Sequence, residues 1–285
     1  MKLAFVTLRY SPKGVVGGAE TLIRQLSRHC ARSGHEVHLL TTCAQNLVTW
    51  KNERLAGTEY AEGTTIHYFP VNTERNLGSI LGIFEKINRR QSLSRQEEEE
   101  WAANSVRSSD LNLWVKTNAA EFDAILVGPY LFGITFDISH IAPEKTWLIP
   151  CLHDEPFAKM SIVAEMFHRV KGLLFNSEPE QALATRLYGL SKMNSYVVGM
   201  GMDAFEADPK AFARRYGLEH PYLIYCGRRN VAKNTPLLLE YLDAYRERNT
   251  TPFHLVLTGS GDYDAPELLK PHIIDLGFVS EEQKH

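Results

Sequence analysis

Short apolar runs alternate with helical patterns along the whole chain, and this rhythm confines it to an α/β architecture built on parallel sheets. Strands are predicted near residues 3–7, 36–41, 65–69, 124–127, 146–150, 172–175 and 195–198, enough for one complete domain over residues 1–199. Residues 200–221 change character, with the run Gly199-Met200-Gly201-Met202-Asp203, then Ala207-Asp208-Pro209 and a short helical piece ending at Gly217. That composition predicts a linker. The strand–helix rhythm then restarts over residues 222–285, with strands at 222–226, 253–258 and 272–276 and a helix from 235. A length of 285 residues suits two domains, since single cores seldom grow beyond 200 to 250 residues. Three strands with little helix cannot cover both faces of a parallel sheet, so the second domain is expected to be incomplete.

Residues 72–118 are too long for an ordinary connection between a strand and a helix, and read as an inserted helical element near 74–118. Its acidic run Glu97 to Glu100 is expected to be a solvated helix face. Lys86, Arg89, Arg90 and Arg95 in residues 84–95 read first as a solvated helix face, with peripheral contact with a membrane surface as the alternative.

A net charge of −3 with 23% charged residues is not that of a polycation built for nucleic acid. Cys30, Cys43, Cys151 and Cys226 form no CxxC pair and are expected to be reduced, partly buried thiols. The apolar opening at residues 3–7 is too short for a signal segment or a span, which predicts a cytoplasmic protein, at most at the inner face of the membrane.

Four strand-end loops carry candidate chemistry. Arg228 and Lys233 follow the strand at 222–226 five positions apart, where a turn can bring a guanidinium and an ammonium onto one anionic group, although basic loop residues are commonly just solvated. Gly17-Gly18-Ala19-Glu20 closes the first loop at the start of a helix, as a tight turn or an anion cradle. His153 and Asp154 stand after the fifth strand, either as structural residues or as groups that hydrogen-bond a sugar hydroxyl. Asp154 and Glu155 have no recognised metal-ligand spacing, so no metal is expected. Gly259 and Gly261 flank a further strand end, as a plain loop or as a surface for a base or ribose.

In this order, the motifs resemble those of the retaining glycosyltransferase family 4, whose members have two Rossmann-like domains in the GT-B fold. Gly17-Gly18-Ala19-Glu20 resembles the family's glycine loop beside the transferred sugar and acceptor, and His153 stands where the family has a histidine touching the donor sugar. Asn176-Ser177-Glu178 resembles its Ser-Glu strand end, and residues 198–203 its hinge, from which Gly199, Met200 and Met202 depart. Gly227-Arg228 with Lys233 resembles its diphosphate-binding pair, Gly259 and Gly261 its base-contacting Gly-x-Gly, and Leu276-Gly277-Phe278-Val279 its next strand end.

The resemblance implies metal-independent transfer of a sugar, with retention, from a nucleoside diphosphate sugar to a hydroxyl of a glycan, a lipid-linked molecule or a small molecule. It implies no separate cofactor. His153, Arg228 and Lys233 would be catalytic; Gly17, Gly18, Gly227, Gly259 and Gly261 would join Arg228 and Lys233 in binding donor; Glu20 and Asp154 would lie on the acceptor side. The family's two glutamates eight positions apart would fall beyond residue 285, so the chain is expected to be the first two-thirds of a longer enzyme, inactive alone. Two other functional classes are open to such a chain. A non-catalytic nucleotide-sugar or glycan binding module would bind ligand without later residues. A nicotinamide enzyme is disfavoured because the first loop is not GxGxxG and Glu36 stands too early in its strand to meet a ribose.

Overall fold

The computed structural model describes residues 1–11, 17–47, 49–73, 77–190, 194–201, 204 and 206–279. The chain divides into two compact units, Met1–Met202 and Asp203–His285. The first contains β1 (Lys2–Val6), α1 (Gly18–Arg32), β2 (Glu36–Thr42), β3 (Gly57–Ala61), β4 (Thr64–Phe69), α2 (Leu77–Asn88), α3 (Arg95–Asn104), α4 (Ser109–Asn118), β5 (Ala124–Val127), α5 (Gly133–Ile141), β6 (Thr146–Leu148), α6 (Ser161–Arg169), β7 (Gly172–Phe175), α7 (Glu178–Tyr188) and β8 (Ser195–Val197). The second contains α8 (Pro209–Tyr216), β9 (Tyr222–Cys226), α9 (Thr235–Arg248), β10 (His254–Thr258) and β11 (Ile273–Gly277). Residues 12–16, 74–76, Met202 and Asp203, on which parts of the glycine loop, insertion and hinge expectations fall, lie outside the described residues.

The first sheet has the order β3-β4-β2-β1-β5-β6-β7-β8 and is parallel except at β3. Alternate residues of β1 face opposite layers: Leu3 and Phe5 pack with Leu22 and Ile23 of α1, while Ala4 and Val6 pack with the larger core under α4 to α7. Burying each such large side chain contributes roughly 1.5–3 kcal/mol. Strand order reverses between β1 and β5, and in open parallel sheets the carboxyl ends at such a reversal are the usual ligand position.

The sequence reading missed β3, which pairs antiparallel to β4 from Gly57↔Tyr68 to Ala61↔Thr64. Its residues are largely exposed, so it lacks the apolar signature of the buried strands. The connection is carried by Glu62 and Gly63, both with positive φ (53° and 79°), the backbone geometry of a tight hairpin.

The insertion is helical, and its acidic run is solvated only in part: Glu99 and Glu100 are exposed, Glu98 is buried, and all four have partners. Glu97 closes a capping box with Ser94 at the start of α3 and pairs with Lys86. Glu98 is buried and accepts from the Ser161 hydroxyl (2.5 Å) and the Ile162 amide (3.1 Å), thereby capping α6. Glu99 pairs with Arg95 at 2.7 Å and Glu100 accepts from Ser79. Arg95 also pairs with Glu165, and Arg89 lies 3.7 Å from Glu85. Carboxylates therefore pair with most of this basic stretch, Lys86, Arg89 and Arg95, as on a solvated helix face. Among the described residues, no helix is long and apolar enough to cross a membrane.

On one face of the sheet His38 and His67 stack with centroids 5.2 Å apart, their Nδ1 and Nε2 at 3.0 Å. Glu36 contacts His38 Nε2, Lys2 pairs with Glu36, Thr58 meets His67 Nδ1, and Trp114, Phe69 and Phe122 pack around the pair. Burial, then the His38 charge, holds the half-buried His67 imidazole down at about 4. The folded state therefore favours neutral His67, so its contribution is complete above the unfolded value near 6.5 and is lost as pH falls from there toward 4. Between pH 7.5 and 5 the wild-type protein is expected to lose about 1 to 2 kcal/mol more stability than His67→Phe, measured as paired urea midpoints; equal losses would refute this.

In the second unit, the order is β11-β10-β9, all parallel. Leu239 and Leu242 of α9 pack on Phe253, Leu255 and Leu257 around the central strand β10. The flanking strand β9 leaves Leu223 and Ile224 nearly half exposed.

Candidate functional site

Beyond β1 the chain dips into the protein. Leu8, Arg9 and Tyr10 are all buried, and the Arg9 guanidinium donates from Nε and Nη2 to Glu20 Oε1 at 2.9 and 2.7 Å. Its Nη1 donates to the Gln45 carbonyl at 3.1 Å, and Trp50 lies 5.8 Å away. Glu20, expected on the acceptor side, is thus a 7%-exposed partner of Arg9, buried against the loop it was expected to serve. Gly17 is required by that pair: a Cβ there would lie 2.3 Å from Glu20 Oε2. Gly18, the first residue of α1, has open space where its Cβ would be, and its amide belongs to the unsatisfied helix N-terminus.

After β6, His153 is exposed and lines a cavity of 370 Å³ with Cys151, Leu152, Asp154, Asn176 and Ser177. Asp154 is shared between Lys159 (3.6 Å) and Arg186 (3.3 Å). One buried carboxylate shapes this cavity. Glu180 accepts from the Leu152 amide and the Asn176 amide, each at 2.7 Å, tying the end of β6 to the end of β7. The Cys151 backbone sits at φ 52°, and burial pushes its thiol up to about 11, so it is neutral and unreactive near pH 7. The buried Asn176 Oδ1 has no hydrogen-bond partner among the described residues. Tyr130, after β5, donates its hydroxyl to Glu155 at 2.7 Å; burial and that carboxylate raise its pKa.

In the second unit, three strand ends are laced together by backbone bonds. Gly227 donates to Thr258 at 3.0 Å, Arg229 to Ser260 at 2.7 Å, and Gly259 to Gly277 at 2.7 Å. A Cβ on Gly259 would lie 2.1 Å from the Gly227 carbonyl oxygen, and one on Gly261 2.4 Å from that of Arg229. Gly-x-Gly thus lets one loop lie directly on the next. Arg229 locks the stack: its Nε donates to the Gly261 carbonyl at 2.7 Å, its Nη1 to Asp275 at 3.1 Å, and Tyr263 lies 5.3 Å from the guanidinium. Arg228 and Lys233 are exposed beside the stack, and among the described residues neither has an ion-pair partner. Asn230 Oδ1 accepts from the Lys233 amide at 2.9 Å and fixes the short turn leading to α9.

Each unit therefore holds a distinct cluster, with Arg9, Glu180 and Arg229 as buried supports that the sequence reading did not single out. Only Glu180 had a local signal. Ser177-x-x-Glu180 is a capping-box pattern, and Ser177 does cap α7, but the Glu180 side chain turns to the strand ends instead. Among the cysteines, Cys226 is exposed, not partly buried as expected, because it ends an edge strand.

No protein-family model matches the chain, and no curated protein matches it in sequence. Solved structures do resemble it in fold. One is a trehalose-6-phosphate structure from E. coli bound with UDP-2-fluoro glucose, with a TM-score of 0.53 and 14% identity, covering 90% of this chain and 64% of that one. Another is the lipopolysaccharide outer core galactosyltransferase WaaB in apo form, at 0.54 and 13%, covering 100% and 70%. A third is the catalytic domain of starch synthase IV from Arabidopsis thaliana bound to ADP and acarbose, at 0.54 and 12%, covering 99% and 75%. The chain thus spans about two-thirds of the length of the structures it resembles. At these identities the likeness establishes architecture alone, and the architecture is the α/β fold of GT-B glycosyltransferases.

Proposed function

We propose that the chain belongs to a glycosyltransferase that moves a sugar from a nucleoside diphosphate sugar to a hydroxyl acceptor, with retention at the anomeric carbon. The observation that carries this reading is the pair of exposed cations Arg228 and Lys233, without ion-pair partners among the described residues, beside three glycine-laced strand ends. The nucleotides bound in the structures of similar fold support a diphosphate as the anion they hold. The second unit then supplies donor contacts, with Gly227, Gly259 and Gly261 giving backbone access. The first supplies the sugar and acceptor side, through Gly17, Gly18, His153 and Asp154.

In this reaction the bond between the anomeric carbon and the diphosphate oxygen breaks. The acceptor oxygen bonds to the same face of that carbon, and its proton passes to the departing diphosphate. Negative charge grows on the leaving group, and Arg228 and Lys233 would stabilise it where other enzymes use a divalent cation. His153 would hold a sugar hydroxyl. Glu20 and Asp154 would act through the loops they brace. No separate cofactor enters this scheme.

Calorimetric titration with UDP and ADP tests the donor assignment. Lys233→Ala and Arg228→Ala are each expected to weaken diphosphate binding at least tenfold with little change in melting temperature, since both side chains are exposed. In turnover by the full-length enzyme the same changes should cost on the order of 2.7–4 kcal/mol of transition-state stabilisation. Unchanged binding in both variants would reject the clamp, and a product with inverted anomeric configuration would reject retention.

A further inference from the structure

A second cavity, of 530 Å³, opens where the loop between α2 and α3 faces the segment leading into α6. Ile87, Leu93, Pro156 and Met160 form an apolar wall, while Arg90, Gln91, Ser92 and Lys159 supply polar groups. The volume is in the range of small-molecule sites and far exceeds what a bare inorganic anion fills. We propose that this cavity binds a phosphomonoester attached to an organic group, and that this is the anionic end of the acceptor.

The charge at the cavity favours an anion. Among the described residues Arg90 has no ion-pair partner, and its backbone is held at φ 57° by amide bonds that close α2. Lys159 has, among the described residues, only a share of Asp154, which also pairs with Arg186. Glu98, the acidic group of the lining, is buried and already accepts from Ser161 and Ile162. Among the described residues the lining thus carries two cations against the one buried carboxylate, an excess of positive charge that favours an anion, and a phosphomonoester, with about −1.5 to −2 charge near pH 7, can engage both cations at once. The Arg90 fork suits a phosphate's paired oxygens, Lys159 adds a point charge, and Gln91 and Ser92 add neutral donors. The apolar wall would take the organic part, a sugar face or an alkyl chain.

The Asp154–Lys159 ion pair links this cavity to the one lined by His153, since Asp154 lines that cavity and Lys159 this one. A phosphate on Lys159 would draw it away from Asp154, placing acceptor recognition one ion pair from the cavity lined by His153. The assignment to an acceptor rests on the glycosyl-transfer reading; the assignment of an organic phosphate to the cavity does not.

Two probes separate the sources of such a group: glucose 6-phosphate as a soluble sugar phosphate, and octyl phosphate as a mimic of a lipid-linked one. Binding is followed by amide chemical shifts of the whole chain, with UDP titrated separately into the same samples. At least one probe is expected to shift residues 87–93 and 156–160. The double variant Arg90→Ala/Lys159→Ala is expected to weaken it at least tenfold, and Arg90→Lys less than threefold. Glucose 6-phosphate as the stronger probe supports a sugar phosphate, and octyl phosphate a lipid-linked one. Failure of both probes, binding unaffected by the double variant, or shifts confined to residues 227–233 would overturn the cavity assignment. Loss of UDP binding with retained phosphate binding would instead count against the donor reading, so the two failures are distinguishable.

Discussion

Replacing Glu20 with leucine is expected to destabilise the first unit by about 3 to 5 kcal/mol, read as a fall in urea midpoint at constant slope. Arg9 and Glu20 are both buried, and two of the guanidinium's donors end on one carboxylate oxygen at 2.9 and 2.7 Å. With the carboxylate gone, Arg9 keeps its charge, keeps the Gln45 carbonyl and the Trp50 ring, and loses the counter-ion that made burial tolerable. The double variant Arg9→Met/Glu20→Leu should recover most of the loss, because an apolar pair of similar volume avoids burying a lone charge. A single variant as stable as the wild type would show that the pair contributes nothing to the fold. The pair also bears on the proposed reaction. Glu20 Oε2 lies where a Gly17 side chain would begin, so the glycine loop rests on the ion pair, and any loss of sugar binding in Glu20→Leu would follow from movement of Gly17 and Gly18.

That example marks the limit of what could be read from residue order. The buried strands were legible because β1, β5, β7 and β10 are continuous apolar runs, as strands covered on both faces must be. Strand β3 was not, since Gly57-Thr58-Glu59-Tyr60-Ala61 is half polar and gains its place from pairing with β4. The glycines and the Arg228–Lys233 spacing were visible as strand-end features, because backbone access and loop charge leave a mark on local composition. Their supports were invisible for a physical reason. Arg9 meets Glu20 eleven residues away, Glu180 meets Leu152 at a separation of twenty-eight, and Arg229 meets Asp275 at forty-six. A buried charge is tolerated only because of a partner that tertiary structure supplies, and no local pattern announces it. The acidic run shows the converse: Glu97 to Glu100 looks like one solvated stretch, yet its members cap α3, cap α6, pair with Arg95 and hold Ser79.

Gly259→Val should cost the second unit about 2 to 6 kcal/mol, from strain at a backbone angle that L residues rarely adopt and from overpacking against a rigid neighbour. The residue sits at φ 113°, and its Cβ would stand 2.1 Å from the Gly227 carbonyl oxygen, a backbone atom that cannot rotate away. Gly227 is itself held by its bond to Thr258, and the adjoining loop by Arg229 on Gly261 and Asp275, so relief requires the three strand ends to part. The damage should therefore be local: amide exchange should accelerate over residues 254–261 and 273–277 of the second unit, while the β1–β5 core keeps its protection. Gly18→Ala provides the contrast, since nothing lies within 4 Å of a Cβ there and alanine is a better helix former; its stability should match or exceed the wild type. If Gly259→Val exchanged no faster than the wild type in the second unit, the stacked strand ends would not be a rigid platform, and Arg228 would have no fixed position from which to meet a diphosphate.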